Sequence, residues 1–567
     1  MKIALAQLNP TVGDFVGNVR KILEYAERGQ GVGADLVVFP ELAVCGYWPA
    51  DLLEKKAFVA RSAEALAEVQ AWTVAIGRPS LLVGGVLPTP GDVEGKLIRN
   101  VAVLVGGGEV LAVQQKMLLP FYDVFDEQRY FESATEQKLT TIATAAGPAP
   151  IAITVCEDAW NDKGYWPRRR YAIDPVERLM ETWAVQPEGL AKQHRVIVNI
   201  SASPYWQGKR QVRREMLGAL ARRHSAFVCM VNQAGGNDSL IFDGSSLAVG
   251  PDGGVVAQAA SFAEDLVVFD TEASQAAAPV AESQEQFEVK ATWDALVLGV
   301  RDYVRKCGFS TALIGLSGGI DSALVAAIAV EALGAANVMG IGMPSEYSSE
   351  GSKDDARALT DRLGIRFEVL PIHAGFEAAM TTLEPLFTGT PFGLAEENLQ
   401  SRLRGVLLMA LSNKFGALVL TTGNKSEMSV GYCTLYGDMV GALAVIGDVM
   451  KTHVYELSRY ANREREIIPL ATINKPPSAE LRPEQKDTDS LPPYEVLDPI
   501  LEAYVERYCS AEQIARDQKV DVELVRQVLK LVERSEYKRQ QAAPVLKVTR
   551  KSFGMGRRFP IAVKYQV

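Results

Sequence analysis

Cysteine and histidine are scarce in this chain of 567 residues and scattered where they occur. The six cysteines, Cys45, Cys156, Cys229, Cys307, Cys433 and Cys509, include no C-x-x-C pair, and the four histidines, His194, His224, His373 and His453, lie equally far apart. That spacing suggests neither a disulfide framework nor a zinc site. Long apolar runs are missing as well: nothing approaches the about 20 apolar residues that cross a bilayer. The opening Met1-Lys2-Ile3-Ala4-Leu5-Ala6-Gln7-Leu8-Asn9-Pro10 is too short an apolar run for a leader peptide and reads as a buried strand stopped by Asn-Pro. A reducing cytoplasm, with no membrane partner, is the default expectation. Positive charge is in deficit: Lys+Arg 59 against Asp+Glu 69 gives a formal charge of −10, which argues against a nucleic-acid partner and for small ligands.

What remains is ordinary globular material, 48% hydrophobic and 23% charged, long enough for at least two domains. Residues 1–270 alternate short apolar runs (3–8, 36–39, 81–86, 101–105, 110–115, 151–155, 196–200, 226–231 and 246–249) with stretches of helical spacing such as 19–29 and 61–73. The pattern predicts an α/β layered domain. Residues 271–290 include a small, polar, pattern-free segment that suits a linker. From 291 to 567 helical patterns dominate, with strands expected at 313–316, 338–343, 366–370 and 417–421, a spacing that predicts βαβ units and a parallel sheet. The proline-rich stretch 474–499 reads as a long irregular loop. No repeat with a period of 20–50 residues occurs.

One stretch of the second half carries a ligand signal. In Leu313-Ile314-Gly315-Leu316-Ser317-Gly318-Gly319-Ile320-Asp321-Ser322 an apolar strand meets a Ser/Gly turn and then a helical segment. Gly318 and Gly319 let the backbone turn tightly and approach a ligand, and the helix N-terminus offers unpaired N–H groups to phosphate. No Lys follows the glycines, so this is not a Walker A loop. Ser317 and Ser322 supply hydroxyls, and Asp321 either holds Mg²⁺ or caps the helix.

In the first half, Glu41, Lys116 and Cys156 each follow directly on an expected strand. Strand C-terminal ends in open α/β folds face one crevice, so such residues can converge. A cysteine attacks as its thiolate, a neighbouring carboxylate can take its proton, and a lysine cation can stabilise a tetrahedral intermediate. A lone cysteine beside a strand is ordinarily a packed core residue; three such residues at three strand ends weigh against that reading.

The segments Phe39-Pro40-Glu41-Leu42, Lys116-Met117-Leu118-Leu119-Pro120 with Val124-Phe125-Asp126-Glu127-Gln128-Arg129-Tyr130-Phe131, and Cys156-Glu157-Asp158 resemble the motifs of the nitrilase superfamily. The resemblance implies an amidase in an αββα sandwich, with Glu41 as general base, Lys116 as oxyanion stabiliser and Cys156 as nucleophile. It also implies that Tyr122, Ser203 and Lys209 hold glutamine. The stretch 161–193, with Trp166-Pro167-Arg168-Arg169-Arg170, is longer than the usual connection. The Ser317–Ser322 loop resembles that of the ATP pyrophosphatases. Glu397-Asn398-Leu399-Gln400-Ser401-Arg402-Leu403-Arg404, Thr421-Thr422-Gly423-Asn424-Lys425-Ser426-Glu427, Tyr436-Gly437-Asp438-Met439 and Lys475-Pro476-Pro477-Ser478-Ala479-Glu480-Leu481-Arg482 are similar to the NAD synthetase pattern.

With both halves combined, the chain is similar to the bacterial glutamine-dependent NAD synthetases as a family. That similarity implies a nitrilase-like sandwich followed by a Rossmann-like parallel-sheet ATP pyrophosphatase domain. ATP would lie at Gly315, Leu316, Ser317, Gly318, Gly319, Ile320, Asp321, Ser322 and Thr422, and deamido-NAD at Asn398, Glu427 and Lys538. Asp321 and Glu427 would hold Mg²⁺, and the enzyme would be a homo-oligomer. The reaction it implies adenylates deamido-NAD and amidates it with ammonia released from glutamine, carried by a protected passage. Two readings stay open: another glutamine-dependent adenylating enzyme, or a nucleotide-sensing scaffold. An asparagine-type glutaminase needs a cysteine after Met1, where this chain has Lys2, and a GMP-type one needs a Cys/His/Glu set. After Glu536 the chain carries only basic charges, Lys538, Arg539, Lys547, Arg550, Lys551, Arg557, Arg558 and Lys564, which suit either nucleotide phosphates or the acidic body.

Overall fold

Apolar runs of the first half pair into two six-stranded sheets. The computed structural model describes residues 1–91, 94–191, 193–273, 284–478, 480–482 and 485–564. The chain divides into two units, Met1–Glu282 and Ser283–Val567. One sheet of the first unit runs in the order Asp265–Asp270, Lys2–Gln7, Leu36–Val38, Ser80–Pro88, Ile98–Gly106, Glu109–Gln115, with the three strands from Lys2–Gln7 to Ser80–Pro88 parallel. The other runs Val255–Gln258, Leu247–Val249, Ala226–Asn232, Arg195–Ser201, Gly147–Val155, Thr140–Thr144, parallel across Ala226–Asn232, Arg195–Ser201 and Gly147–Val155.

The central strands are apolar on both faces, as covered parallel strands must be. Their inner faces share one core, Ile3, Leu5, Leu36, Val38 and Leu82 against Ile151, Ile153, Val155, Val198 and Ile200. Helices Phe15–Gly31 and Lys56–Trp72 cover the outer face of the first sheet through Ile22, Ala26, Ala65, Leu66 and Val69. Helices Pro175–Ala184 and Lys209–His224 cover the second through Val176, Leu179, Trp183, Leu217 and Leu220. This is an αββα sandwich. The first helix starts where Asp14 accepts the Gly17 N–H at 2.9 Å. Strands without an expectation from sequence are mainly short or peripheral: Thr140–Thr144, Val255–Gln258, Asp265–Asp270 and the hairpin Ala234–Asn237 with Leu240–Asp243.

In the second unit five parallel strands follow the order Arg366–Val369, Val338–Gly342, Ala312–Gly315, Leu418–Thr421, Leu443–Ala444. The chain order reverses between Ala312–Gly315 and Leu418–Thr421, and a crevice forms at the carboxyl ends of strands flanking such a reversal. Helix Gln284–Lys306 begins inside the stretch read as a linker, of which residues 274–283 lie outside the described residues. In the proline-rich stretch, 479, 483 and 484 also lie outside them; helix Tyr494–Val505 starts after Pro493 and carries Pro499 within it, so the irregular part ends earlier than expected.

Helices Tyr494–Val505, Ala511–Gln518 and Val522–Arg534 share a core with Val545 and Phe553. A buried ammonium ties this bundle to the sheet: Lys425 Nζ lies 2.9 Å from Asp448 and donates to Glu506 at 2.7 Å, Thr549 Oγ1 at 2.7 Å and the Lys551 carbonyl at 2.9 Å. Among the described residues no helix is long and apolar enough to cross a membrane.

Candidate active sites

Cys156 ends the strand Gly147–Val155 and opens the tight turn Cys156–Ala159 with φ +45°, a left-handed backbone that a residue other than glycine adopts only when its surroundings enforce it. Asp158 enforces it. Its carboxylate accepts the N–H groups of Met117 at 3.1 Å, Leu118 at 2.8 Å and Val155 at 3.1 Å, and Gln137 Nε2 at 2.8 Å, which clamps the Lys116 segment onto the cysteine turn. Burial nevertheless raises the Asp158 carboxyl to about 6.

Glu41 and Lys116 meet at this turn, both fully buried. Lys116 Nζ donates to Glu41 Oε1 at 2.7 Å and to Glu127 Oε1 at 2.9 Å. Asn100 Nδ2 donates to Glu41 Oε1 at 2.7 Å, and the Ala202 N–H donates to Glu41 Oε2 at 3.0 Å. Tyr47 OH donates to Glu127 at 3.0 Å. The three expected residues therefore converge at the junction of two stacked sheets, rather than along the crevice of one open sheet. Burial works against the Lys116 charge, but Glu127 and Glu41 hold its pKa well above the ordinary value. Burial, reinforced by Glu41, pushes the Cys156 thiol up, while Lys116 pulls it back. Burial raises Glu127 to about 7.

Tyr122 OH donates to both oxygens of Glu157, at 3.0 and 2.9 Å, beside the cysteine. Arg170, from the basic run, lies 3.6 Å over the Tyr122 ring, so the long 161–193 connection reaches this site. Ser203 and Lys209 are both buried: the Ser203 N–H donates to Asn232 Oδ1 at 2.7 Å, and Lys209 Nζ donates to the Pro204 carbonyl at 2.7 Å. Glu127, Asn100 and Glu157 are members of this cluster to which sequence reasoning gave no role. Glu127 and Glu157 stood inside the quoted motifs, which was the available signal.

The second unit holds a cavity of about 360 Å³ at the strand-order reversal, lined by Gly315, Leu316, Ser317, Gly319, Ile320, Asp321, Ser322, Thr422, Glu427 and Lys451 among others. Gly318 shapes the loop from behind: its φ is +79°, and a Cβ there would lie 2.1 Å from the Ser352 carbonyl oxygen. Ser317 Oγ accepts the Gly319 N–H at 3.2 Å, and Ser322 Oγ donates to the Gly319 carbonyl at 3.0 Å. Both hydroxyls thus sit at the start of helix Ile320–Leu333.

Asp321 and Glu427 converge on the Lys451 ammonium, which pairs with Asp321 and lies 3.3 Å from Glu427. Burial raises the Glu427 carboxyl to about 8, while Lys451 opposes that rise. Burial lowers Lys451, but Asp321 and Glu427 more than restore its charge. Lys451 closes an apolar stretch, the only hint of it in the sequence. Among the described residues no group of three His, Cys, Asp or Glu side chains is arranged to hold a metal unaided. Two carboxylates beside the Ser317–Ser322 loop do fit Mg²⁺, which takes few protein ligands and completes its shell with water and phosphate.

Asn398 and Lys538 lie apart from the cavity lining and hold the segment 431–434: Thr434 Oγ1 donates to Asn398 at 2.7 Å, and Lys538 Nζ donates to the carbonyls of Gly431 at 2.8 Å and Cys433 at 2.7 Å. Much of the basic C-terminal charge is spent within the unit. Arg539 donates to the Ser429 carbonyl at 2.7 Å, Lys547 to the Thr549 carbonyl at 2.6 Å, and Arg557 to Glu536 at 2.8 Å.

Comparison with known proteins matches residues 2–278 to the carbon–nitrogen hydrolase family and residues 292–542 to the NAD synthase family. Fold and family matches thus define a carbon–nitrogen hydrolase unit and an NAD synthase unit in one polypeptide. The chain is 49% identical to a glutamine-dependent NAD(+) synthetase of Synechocystis sp. over 99% of its own length and 98% of the relative's, and 40% identical to one of Thermotoga maritima over 100% and 99%. A solved structure of the glutamine-dependent NAD+ synthetase from Acinetobacter baumannii, in complex with ADP, superposes with a TM-score of 0.74 at 38% identity, covering 99% of this chain and 98% of that one. The chain belongs to the glutamine-dependent NAD(+) synthetase family.

Proposed function

We infer that the chain adenylates the nicotinate carboxylate of deamido-NAD with ATP and amidates it with ammonia taken from glutamine, giving NAD, AMP, pyrophosphate and glutamate. Family membership makes it an ATP-using carbon–nitrogen ligase of NAD biosynthesis acting on small molecules. The observation that carries the residue roles is the buried Glu41–Lys116–Glu127 cluster against the strained Cys156 turn.

Glu41 takes the thiol proton as Cys156 attacks the glutamine amide carbon. The Lys116 cation stabilises the negative oxygen that develops, in a site from which water is excluded. Ammonia leaves, and water later releases glutamate from the thioester. Tyr122, Ser203 and Lys209 hold the glutamine. At the second site the Ser317–Ser322 loop and Thr422 hold the ATP phosphates through hydroxyls, N–H groups and the helix dipole, and stabilise the departing pyrophosphate. Asn398, Glu427 and Lys538 serve deamido-NAD, the first and last by shaping the 431–434 segment. Asp321 and Glu427 would hold Mg²⁺, which supplies charge neutralisation at the phosphates when bound.

A cytoplasmic location agrees with the buried thiols Cys45, Cys156 and Cys229, which are not in disulfides. A homo-oligomer is supported by helix His373–Phe387, which buries no residue, and by the exposed apolar side chains Leu386, Phe392 and Leu394 at and just beyond its end, which a second copy would cover. The test of the whole reading is product analysis. Deamido-NAD, ATP and glutamine should give NAD and AMP in equal amounts; AMP formation with xanthylate or aspartate in place of deamido-NAD would overturn it.

A further inference from the structure

Two carboxylates that serve one nucleotide-bound cation must be held at a fixed separation. Here they come from different elements, Asp321 from the first turn of helix Ile320–Leu333 and Glu427 from helix Lys425–Val430. Lys451 pairs with both carboxylates, and a second side chain, Asn424, joins the two elements that carry them. Asn424 Nδ2 donates to Asp321 Oδ1 at 3.0 Å, and Asn424 Oδ1 accepts the Glu427 N–H at 3.0 Å, which caps the helix that carries Glu427. Asn424 is fully buried, and its neighbour Lys425 is pinned through its N–H to the Val449 carbonyl at 2.9 Å and through its ammonium to Asp448 at 2.9 Å. The amide therefore sits on a fixed backbone with one arm on each carboxylate-bearing element.

The chemistry of that position is selective. Asp and Ser cap a helix about as well as Asn, but an ionised Asp has no donor for Asp321, and Ser has a single short arm. We propose that Asn424 is a positioning residue that sets Asp321 and Glu427 in register for the divalent cation carried by ATP, an inference that rests on the Mg²⁺ reading above. It separates two jobs that one side chain performs: starting a helix, which Asp or Ser can take over, and aligning Asp321, which they cannot.

The experiment uses the full-length protein with α,β-methylene-ATP and Mn²⁺ as a spectroscopic stand-in for Mg²⁺, free Mn²⁺ being read by electron paramagnetic resonance. Asn424→Asp and Asn424→Ser should each weaken nucleotide-dependent Mn²⁺ binding by about 10-fold or more; the thermal unfolding of Asn424→Ser stays close to that of the unaltered protein because a cap survives, while Asn424→Asp unfolds at lower temperature because it buries a carboxylate against Asp321. Unchanged or tighter Mn²⁺ binding in both variants overturns the proposal. Asp321→Asn, run beside them, separates the two levels: if it abolishes binding while the Asn424 variants bind normally, only the positioning role falls; if it too binds normally, the metal reading falls and the proposal with it. Should Asn424→Asp not fold, Asn424→Ser decides alone, and failure of both to fold makes the residue structural and overturns the proposal.

Discussion

Lys116 Nζ stands 2.7 Å from Glu41 Oε1 with both side chains removed from water. A buried pair of this kind stabilises little in itself, but breaking it by removing one partner strands a charge, at a cost of about 3–5 kcal/mol. Lys116→Met leaves two carboxylates, Glu41 and Glu127, without their shared cation. The expected outcome is a loss of stability of about that size and no glutamine hydrolysis, measured by thermal unfolding and glutamate release.

Cys156→Ala removes the proposed nucleophile and keeps a Cβ on the left-handed backbone. Glutamine-dependent NAD formation should disappear, while formation from added ammonium salt persists. Loss of both activities in a folded variant would contradict the division of labour between the two units.

Gly318→Ala puts a methyl group 2.1 Å from the Ser352 carbonyl oxygen on a residue at φ +79°. The loop must shift, and a displacement of about 1 Å at a reacting centre costs on the order of 100-fold in rate. ATP–pyrophosphate exchange dependent on deamido-NAD should fall by at least that factor.

Glu127 carries a pH signature. Burial lifts its carboxyl from 4.5 to about 7 in the folded protein. The folded state therefore binds this proton more tightly than the unfolded chain does, so the contribution is fully present below the unfolded value and is lost as pH rises through the folded one. Unfolding temperature should carry a component that falls between pH 5 and 7, and Glu127→Gln should flatten it. An identical pH profile in the variant would contradict the assignment.

Leu386→Glu with Leu394→Glu charges two apolar side chains that are 79% and 71% exposed. A smaller assembly by sedimentation, with retained secondary structure, is the expected result.

The parts legible from sequence were those built by continuous runs. Double-sided apolar strands and the Ser-Gly-Gly-Ile-Asp-Ser turn announce themselves, and so did Glu41, Lys116 and Cys156, because each follows closely on a run rich in β-formers. Edge strands such as Thr140–Thr144, with a single fully buried side chain, leave little periodicity to read. Glu127, Lys451 and Asn424 were not assigned for a different reason. Their parts depend on partners 11, 130 and 103 residues away, and nothing local distinguishes a buried, paired charge from a solvated one.

The Lys425 ammonium imposes an order on synthesis. Its partner Thr549 is made 124 residues later, an interval of about 6–25 s at ribosomal speeds of about 5–20 residues per second. Before Thr549 and Lys551 are made, the Lys425 ammonium has Asp448 and Glu506 as partners and lacks the two oxygens that complete its enclosure. The thiol-bearing unit, whose strands end at Asp270, has by then long left the ribosome. A newborn chain thus acquires the means to liberate ammonia before it acquires the means to use it.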